Sequence, residues 1–119
     1  MLDEGRPLFV QIAEQIENDI LDGTYPEETA VPSTNELANF LRINPATAGK
    51  GLNRLVDSGV LYKRRGIGMF VAAGAKQTLM EARRQSFSDE YIVPLMQEAA
   101  KLGISADELT ELITKEARS

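Results

Sequence analysis

Residues 32–71 constrain this chain more than any other stretch, because two capped helices, a tight turn and a glycine-bounded basic hairpin follow one another with nothing to spare. Ser33-Thr34-Asn35-Glu36 has the Ser-x-x-Glu spacing of a capping box, in which Ser33 satisfies an orphan N–H and Glu36 reaches back to the cap. Leu37, Ala38 and Leu41 give that first helix an apolar stripe. Asn44-Pro45 restarts the chain as a second helix, with Asn44 as N-cap and Pro45 where a missing N–H costs nothing. Helices joined by so short a turn cannot lie antiparallel, and they cross steeply as a helix-turn-helix. That geometry exposes the start of the second helix, the part able to enter a major groove.

The second helix carries Ala48, Leu52, Leu55 and Val56 on one face, with Thr47, Lys50 and Arg54 elsewhere, and Ser58-Gly59 stops it. Val60-Leu61-Tyr62 and Met69-Phe70-Val71 read as short strands around Lys63-Arg64-Arg65-Gly66-Ile67-Gly68. Three cations and two glycines at a hairpin tip suit close approach to a polyanion. The expected fold is therefore mainly α with one small β-hairpin: an N-terminal winged helix-turn-helix over residues 1–74, followed by a short α-helical region over 75–119.

Charge separates along the chain in the same way. The net charge of −5 argues against nucleic acid only if it is spread evenly, and it is not. Residues 1–41 sum to −8, with Arg6 their one basic side chain. Residues 42–71 sum to +5, from Arg42, Lys50, Arg54, Lys63, Arg64 and Arg65 against Asp57 alone. Residues 72–119 come to −2. Cations thus gather in the two elements that would face a duplex. On this basis Ser33, Thr34, Asn35, Asn44, Ala46, Thr47, Lys50, Arg54, Arg64, Arg65, Gly66 and Gly68 are the expected DNA-binding residues.

Several of these admit a plainer role. Thr47 offers a hydroxyl and a methyl to base edges or phosphate, or bonds its own backbone. Lys50 neutralises a phosphate or is merely solvated. Arg64 and Arg65 enter a minor groove or clamp the phosphates beside it. Ser33 and Asn35 meet a phosphate, with Ser33 equally well a simple cap. Gly49 and Gly51 each cost a helix about 1 kcal/mol relative to alanine. Close approach to DNA and tight packing against a neighbour explain them equally.

An amphipathic helix over 7–21, with Phe9, Ile12, Ala13, Ile16 and Ile20 at helical spacing, is expected to close the back of the core, and a loop then runs to Pro32. Residues 72–74 form a brief hinge. Beyond it Leu79, Phe87, Tyr91, Leu95 and Ala99 share a stripe, and Pro94 should bend or break that helix near Tyr91. A second capping box, Ser105 to Glu108, starts a last helix with Leu109, Leu112 and Ile113 inward. Two such helices cannot bury their own stripes, so they either pack back on the core as the cap of a monomer or meet a second copy; a homodimer is expected, with Leu79, Phe87, Tyr91, Leu95, Leu109 and Leu112 at its interface. A two-fold dimer matches the paired half-sites of a pseudo-palindromic operator. Phe87 and Tyr91 are core in the simpler reading and line a small-effector cavity between subunits in the other.

The absence of both cysteine and histidine removes Ser-His and Cys-His nucleophiles and the common zinc ligands, so neither an enzyme nor a cofactor is expected. With no bilayer-length apolar run and no signal pattern, a cytoplasmic protein with no membrane partner is expected.

The motifs from Pro7 to Val71 resemble the GntR family of bacterial transcription regulators. They are Pro7-Leu8-Phe9-Val10-Gln11-Ile12, Val31-Pro32-Ser33-Thr34-Asn35-Glu36-Leu37-Ala38, Ile43-Asn44-Pro45-Ala46-Thr47 and Arg65-Gly66-Ile67-Gly68-Met69-Phe70-Val71. The Ile-Asn-Pro-x-Thr form and the short tail are similar to the YtrA-like subfamily. The resemblance implies a dimeric repressor bound to double-stranded DNA, often at transporter operons or its own. Position 35 is often a DNA-contacting arginine in the family and is Asn35 here; position 69 is commonly threonine and is Met69 here. The tail is too short for the large effector domains of other branches. Asn35, the helix glycines and the acidic total leave one alternative, a winged-helix protein-interaction module that does not bind DNA.

Overall fold

The computed structural model describes residues 4–119. Its first helix, α1 (Leu8–Leu21), buries Ile12, Ala13, Ile16 and Ile20, the positions that recur every three or four residues. Gly23, at φ 89°, turns the chain out of it. Helix α2 (Thr34–Leu41) opens with both bonds of the capping box: Glu36 N–H donates to Ser33 Oγ at 3.1 Å, and Ser33 N–H donates to Glu36 Oε1 at 3.0 Å. Arg42 then adopts a left-handed conformation at φ 55°, which lets its N–H and that of Ile43 return to the Ala38 carbonyl. Helix α3 (Pro45–Asp57) begins at once, with Asn44 Oδ1 accepting from Ala46 N–H at 2.9 Å.

Gly51 fixes how closely α1 and α3 approach. A Cβ there would lie 3.0 Å from both the Phe9 carbonyl oxygen and Ile12 Cγ2. At Gly49 the nearest atom would be Thr34 Cγ2 at 3.5 Å, an ordinary contact. Packing therefore accounts for one of the two helix glycines and not for the other.

Strands β1 (Leu61–Arg64) and β2 (Gly68–Val71) pair antiparallel, with Leu61 opposite Val71 and Arg64 opposite Gly68. The ladder is longer than the sequence suggested, so Lys63 and Arg64 lie within it and the tip is 65–67. Residues 28–31, expected as loop, add a third line of pairing on the far side of β2. Glu28 and Val31 donate to the carbonyls of Val71 and Met69 at 2.8 and 3.0 Å, and Val71 N–H donates to Thr29 at 2.9 Å. Leu52, Leu55, Leu61 and Val71 are completely or almost completely buried beneath this sheet and the helices.

Helix α4 (Ala75–Phe87) places Ala75 and Leu79 in the same core. Leu79 is thus committed to the first unit, correcting its assignment to an intersubunit interface: stripe membership shows that a side chain is covered, not by what. The chain divides into two compact units, one ending at Glu81 and one over Ala82–Ser119.

In the second unit the α-helical pattern is interrupted just before Pro94. A π-helical turn (Ser88–Ile92) precedes helix α5 (Val93–Lys101), and Val93 N–H reaches five residues back to the Ser88 carbonyl. The wider turn accommodates a residue that lacks an N–H and crowds the preceding carbonyl. Gly103, at φ 70°, ends the helix, and Ser105 and Glu108 form the second capping box, starting α6 (Ala106–Ala117). Leu109 packs within this unit, so it too is buried without a second subunit. Leu112 and Ile113, expected inward, are about half exposed.

Candidate nucleic-acid interface

The helix caps decide what the first site residues have left to offer. Ser33 Oγ and Asn44 Oδ1 both accept backbone N–H groups of the helices they start. Asn44 keeps its amide protons as donors, which suit phosphate oxygens, whereas the Ser33 hydroxyl also bonds the Glu36 carboxyl. Bonds from Ser33 to the Glu36 carboxyl, from its backbone N–H first and its side chain second, hold that carboxyl below its usual pKa. Asn35 is exposed on the first turn of α2, and Thr34 lies half-buried with its methyl against the Gly49 position.

At the start of α3, Ala46 is exposed and Thr47 half-buried. The Thr47 hydroxyl makes no hydrogen bond among the described residues, unlike Thr110 and Thr114, whose hydroxyls donate to carbonyls four residues back at 2.9 Å. A free hydroxyl at an exposed helix start is available to a partner. Lys50, one turn on, holds its ammonium 4.1 Å from the centre of the Phe9 ring while remaining exposed. That contact positions the charge without neutralising it. Arg54 is exposed on the last turn of α3.

In the hairpin, Ile67 N–H donates to the Arg64 carbonyl at 2.9 Å, closing a turn with Arg65 and Gly66 at its centre. Gly66 at φ 76° and Gly68 at φ 147° supply backbone conformations that other residues avoid, while a Cβ at either would meet open space. Turn geometry by itself requires these glycines. Arg64 stacks 5.0 Å above the Phe70 ring, and Phe70 stacks on Tyr62 at 5.9 Å. Tyr62 donates its hydroxyl to Glu28 Oε2 at 2.7 Å, a bond that pushes its pKa up. The wing is thereby tied to the third line of pairing at 28–31, and the guanidinium of Arg64 is held on an aromatic platform. Arg65 is exposed at the tip.

Among the described residues, none of Arg42, Lys50, Arg54, Lys63, Arg64 and Arg65 forms an ion pair. Two of the six escaped selection from sequence. Arg42 sits in the left-handed turn between α2 and α3, and Lys63 lies opposite Met69 on the sheet face shared with Leu61 and Val71. Strand alternation carried two residues further would have separated Lys63 from Arg64. Among the described residues, no group of three or more acidic side chains is gathered as metal ligands, and no helix is long and apolar enough to cross a membrane.

A family model described as bacterial regulatory proteins, gntR family, matches residues 8–71. The transcriptional repressor YtrA of Bacillus subtilis is 30% identical over 107 residues, covering 90% of this chain and 82% of that protein. A structure of a putative GntR-family transcriptional regulator from Bacteroides thetaiotaomicron superposes with a TM-score of 0.74 at 34% identity, over 93% of this chain and 96% of that one. The DNA-binding domain of AraR, solved in complex with an operator, matches at 33% identity with a TM-score of 0.54, over 56% of this chain and 80% of that one.

Proposed function

The chain belongs to the gntR family of bacterial regulatory proteins, and on that footing we propose that it is a homodimeric, sequence-specific repressor that occludes a promoter. Residues 1–74, closed by Ala75 and Leu79 of α4, are its DNA-binding domain, and the remainder of residues 75–119 is its dimerisation region. The start of α3 enters the major groove, where Thr47 and Ala46 meet base edges and Asn44 donates to phosphate. Ser33, Thr34 and Asn35 hold the adjacent backbone through the start of α2. Lys50 and Arg54 neutralise phosphates, and Arg64 and Arg65 lie in or beside the minor groove, presented by the tight turn of Gly66 and Gly68.

One observation carries this reading most: six cations with no ion-pair partner among the described residues, on consecutive elements of a winged helix-turn-helix, in a chain that is otherwise acidic. YtrA is a repressor and the AraR domain was captured on an operator, which supports the same assignment here. The exposed apolar side chains of the tail support the dimer. Phe87 and Tyr91, whose rings lie 5.4 Å apart, join Leu95 and Leu112 on the dimer surface. A small ligand held there changes the spacing of the two DNA-binding heads, and the regulated genes include the protein's own and those of a transporter.

A gel-shift titration against the region upstream of the protein's own gene tests this. Retardation at a lower concentration than for random duplex, weakening steeply with salt, is the expected result. No shift of either duplex at low salt would remove DNA binding and leave a protein-interaction module.

A further inference from the structure

A cavity of about 570 Å³ opens on the first unit between α1 and α2. Its volume falls within the range of about 300–1,000 Å³ typical of small-molecule sites. Ile12, Ile16 and Leu37 give it an apolar floor, and Tyr25 and Phe40 stand at its walls. Phe40 is 84% exposed, an unusual position for an aromatic ring. Arg6 is the one cation lining the cavity among the described residues, and it is bonded to Glu14. Asp19 is half-buried, and among the described residues its carboxylate accepts from Gln15 Nε2 at 3.2 Å and forms no ion pair, so its negative charge is not neutralised. Tyr25 N–H donates to the Asp19 backbone carbonyl at 3.1 Å and both residues line the cavity; burial first, and the Asp19 charge second, push the Tyr25 hydroxyl up.

We infer that this groove binds an organic cation with a bulky apolar body, the floor taking the body while the faces of Tyr25 and Phe40 and the carboxylate of Asp19 hold the charge. The surrounding segment, at −8 over residues 1–41, disfavours an anion of the same shape. Binding requires no DNA, so its failure would leave the regulator assignment standing.

Isothermal titration of the full chain with tetraphenylphosphonium, and with tetraphenylborate as an anion of matching shape, tests the site. Saturable binding of one phosphonium per chain is expected, at least about tenfold tighter than the borate. Phe40→Ala removes an exposed ring and Asp19→Asn keeps the side-chain shape, so both leave the circular dichroism spectrum unchanged. Each should weaken phosphonium binding about fivefold. Equal affinity for the two ions, no saturable binding, or variants that bind as well as the parent would overturn the proposal. So would a Phe40→Ala variant that sediments as a monomer where the parent is a dimer and the parent binds no cation, because the groove would then belong to a second copy.

Discussion

The two units of this chain handle apolar surface in opposite ways. In the unit that ends at Glu81, side chains from α1, α2, α3, the hairpin and α4 close over one another, and Leu52 and Val71 are inaccessible to solvent. In Ala82–Ser119, Ala99 and Leu109 are the hydrophobic residues that become buried, while Tyr91 remains 62% exposed and Phe87, Met96, Leu102 and Ile113 are similarly open. Each unit has a capping box, at Ser33 and at Ser105. Local helix chemistry is therefore present in both, and what separates them is whether the chain itself supplies the opposing surface. The first unit is a self-sufficient scaffold for its cations; the second has the surface of a partner-dependent element.

Truncating one residue of each kind should break or uphold that contrast. Leu52→Ala leaves a cavity in the closed core and should cost about 2–5 kcal/mol in chemical unfolding. Tyr91→Ala should change unfolding at high dilution by no more than about 0.5 kcal/mol, yet raise the dimer dissociation constant in sedimentation about tenfold or more. Equal losses of monomer stability would erase the distinction. Within the first unit, Gly51→Ala should destabilise by about 1–3 kcal/mol through overpacking against Phe9 and Ile12, while Gly49→Ala should stabilise by up to about 1 kcal/mol through helix propensity. Thermal unfolding of the two variants checks the opposite signs.

Smaller effects sharpen the picture. Lys50→Ala should lower the slope of log affinity against log salt by about one unit, because one phosphate contact is lost, with the fold intact. A slope equal to the parent's would restrict Lys50 to its stacking on Phe9. Glu36 has a lowered pKa, so the stability it contributes is present above the ordinary carboxylate range and disappears as pH falls through its folded-state value. Glu36→Gln should accordingly flatten the acid limb of the unfolding midpoint plotted against pH, and a limb as steep as the parent's would contradict the capping role.

What could be read from sequence was what neighbouring residues decide among themselves. Both capping boxes, the Asn44-Pro45 start and the Gly103 stop follow from chemistry within four residues, and each is present. The pairing of 28–31 with β2 was not legible, because that segment has no alternation of its own and joins the sheet through backbone groups forty residues distant. Gly49 and Gly51 look identical in sequence, and only the position of α1 tells them apart. Leu79 and Tyr91 fall on one helical stripe, yet one is covered by its own unit and the other is open. Periodicity identifies a face and leaves its covering to tertiary structure. The candidate interface was legible in its charges, and less so in which of Lys63 and Arg64 occupies which face of the wing.

The most direct test replaces Arg64 and Arg65 together with alanine and measures duplex binding across a range of salt, with sedimentation and circular dichroism recorded on the same samples. Both side chains are exposed, so fold and dimer should persist while operator binding at physiological salt is lost and the salt slope falls by about two units. Binding as tight and as salt-dependent as the parent's would show that the cationic wing does not face DNA.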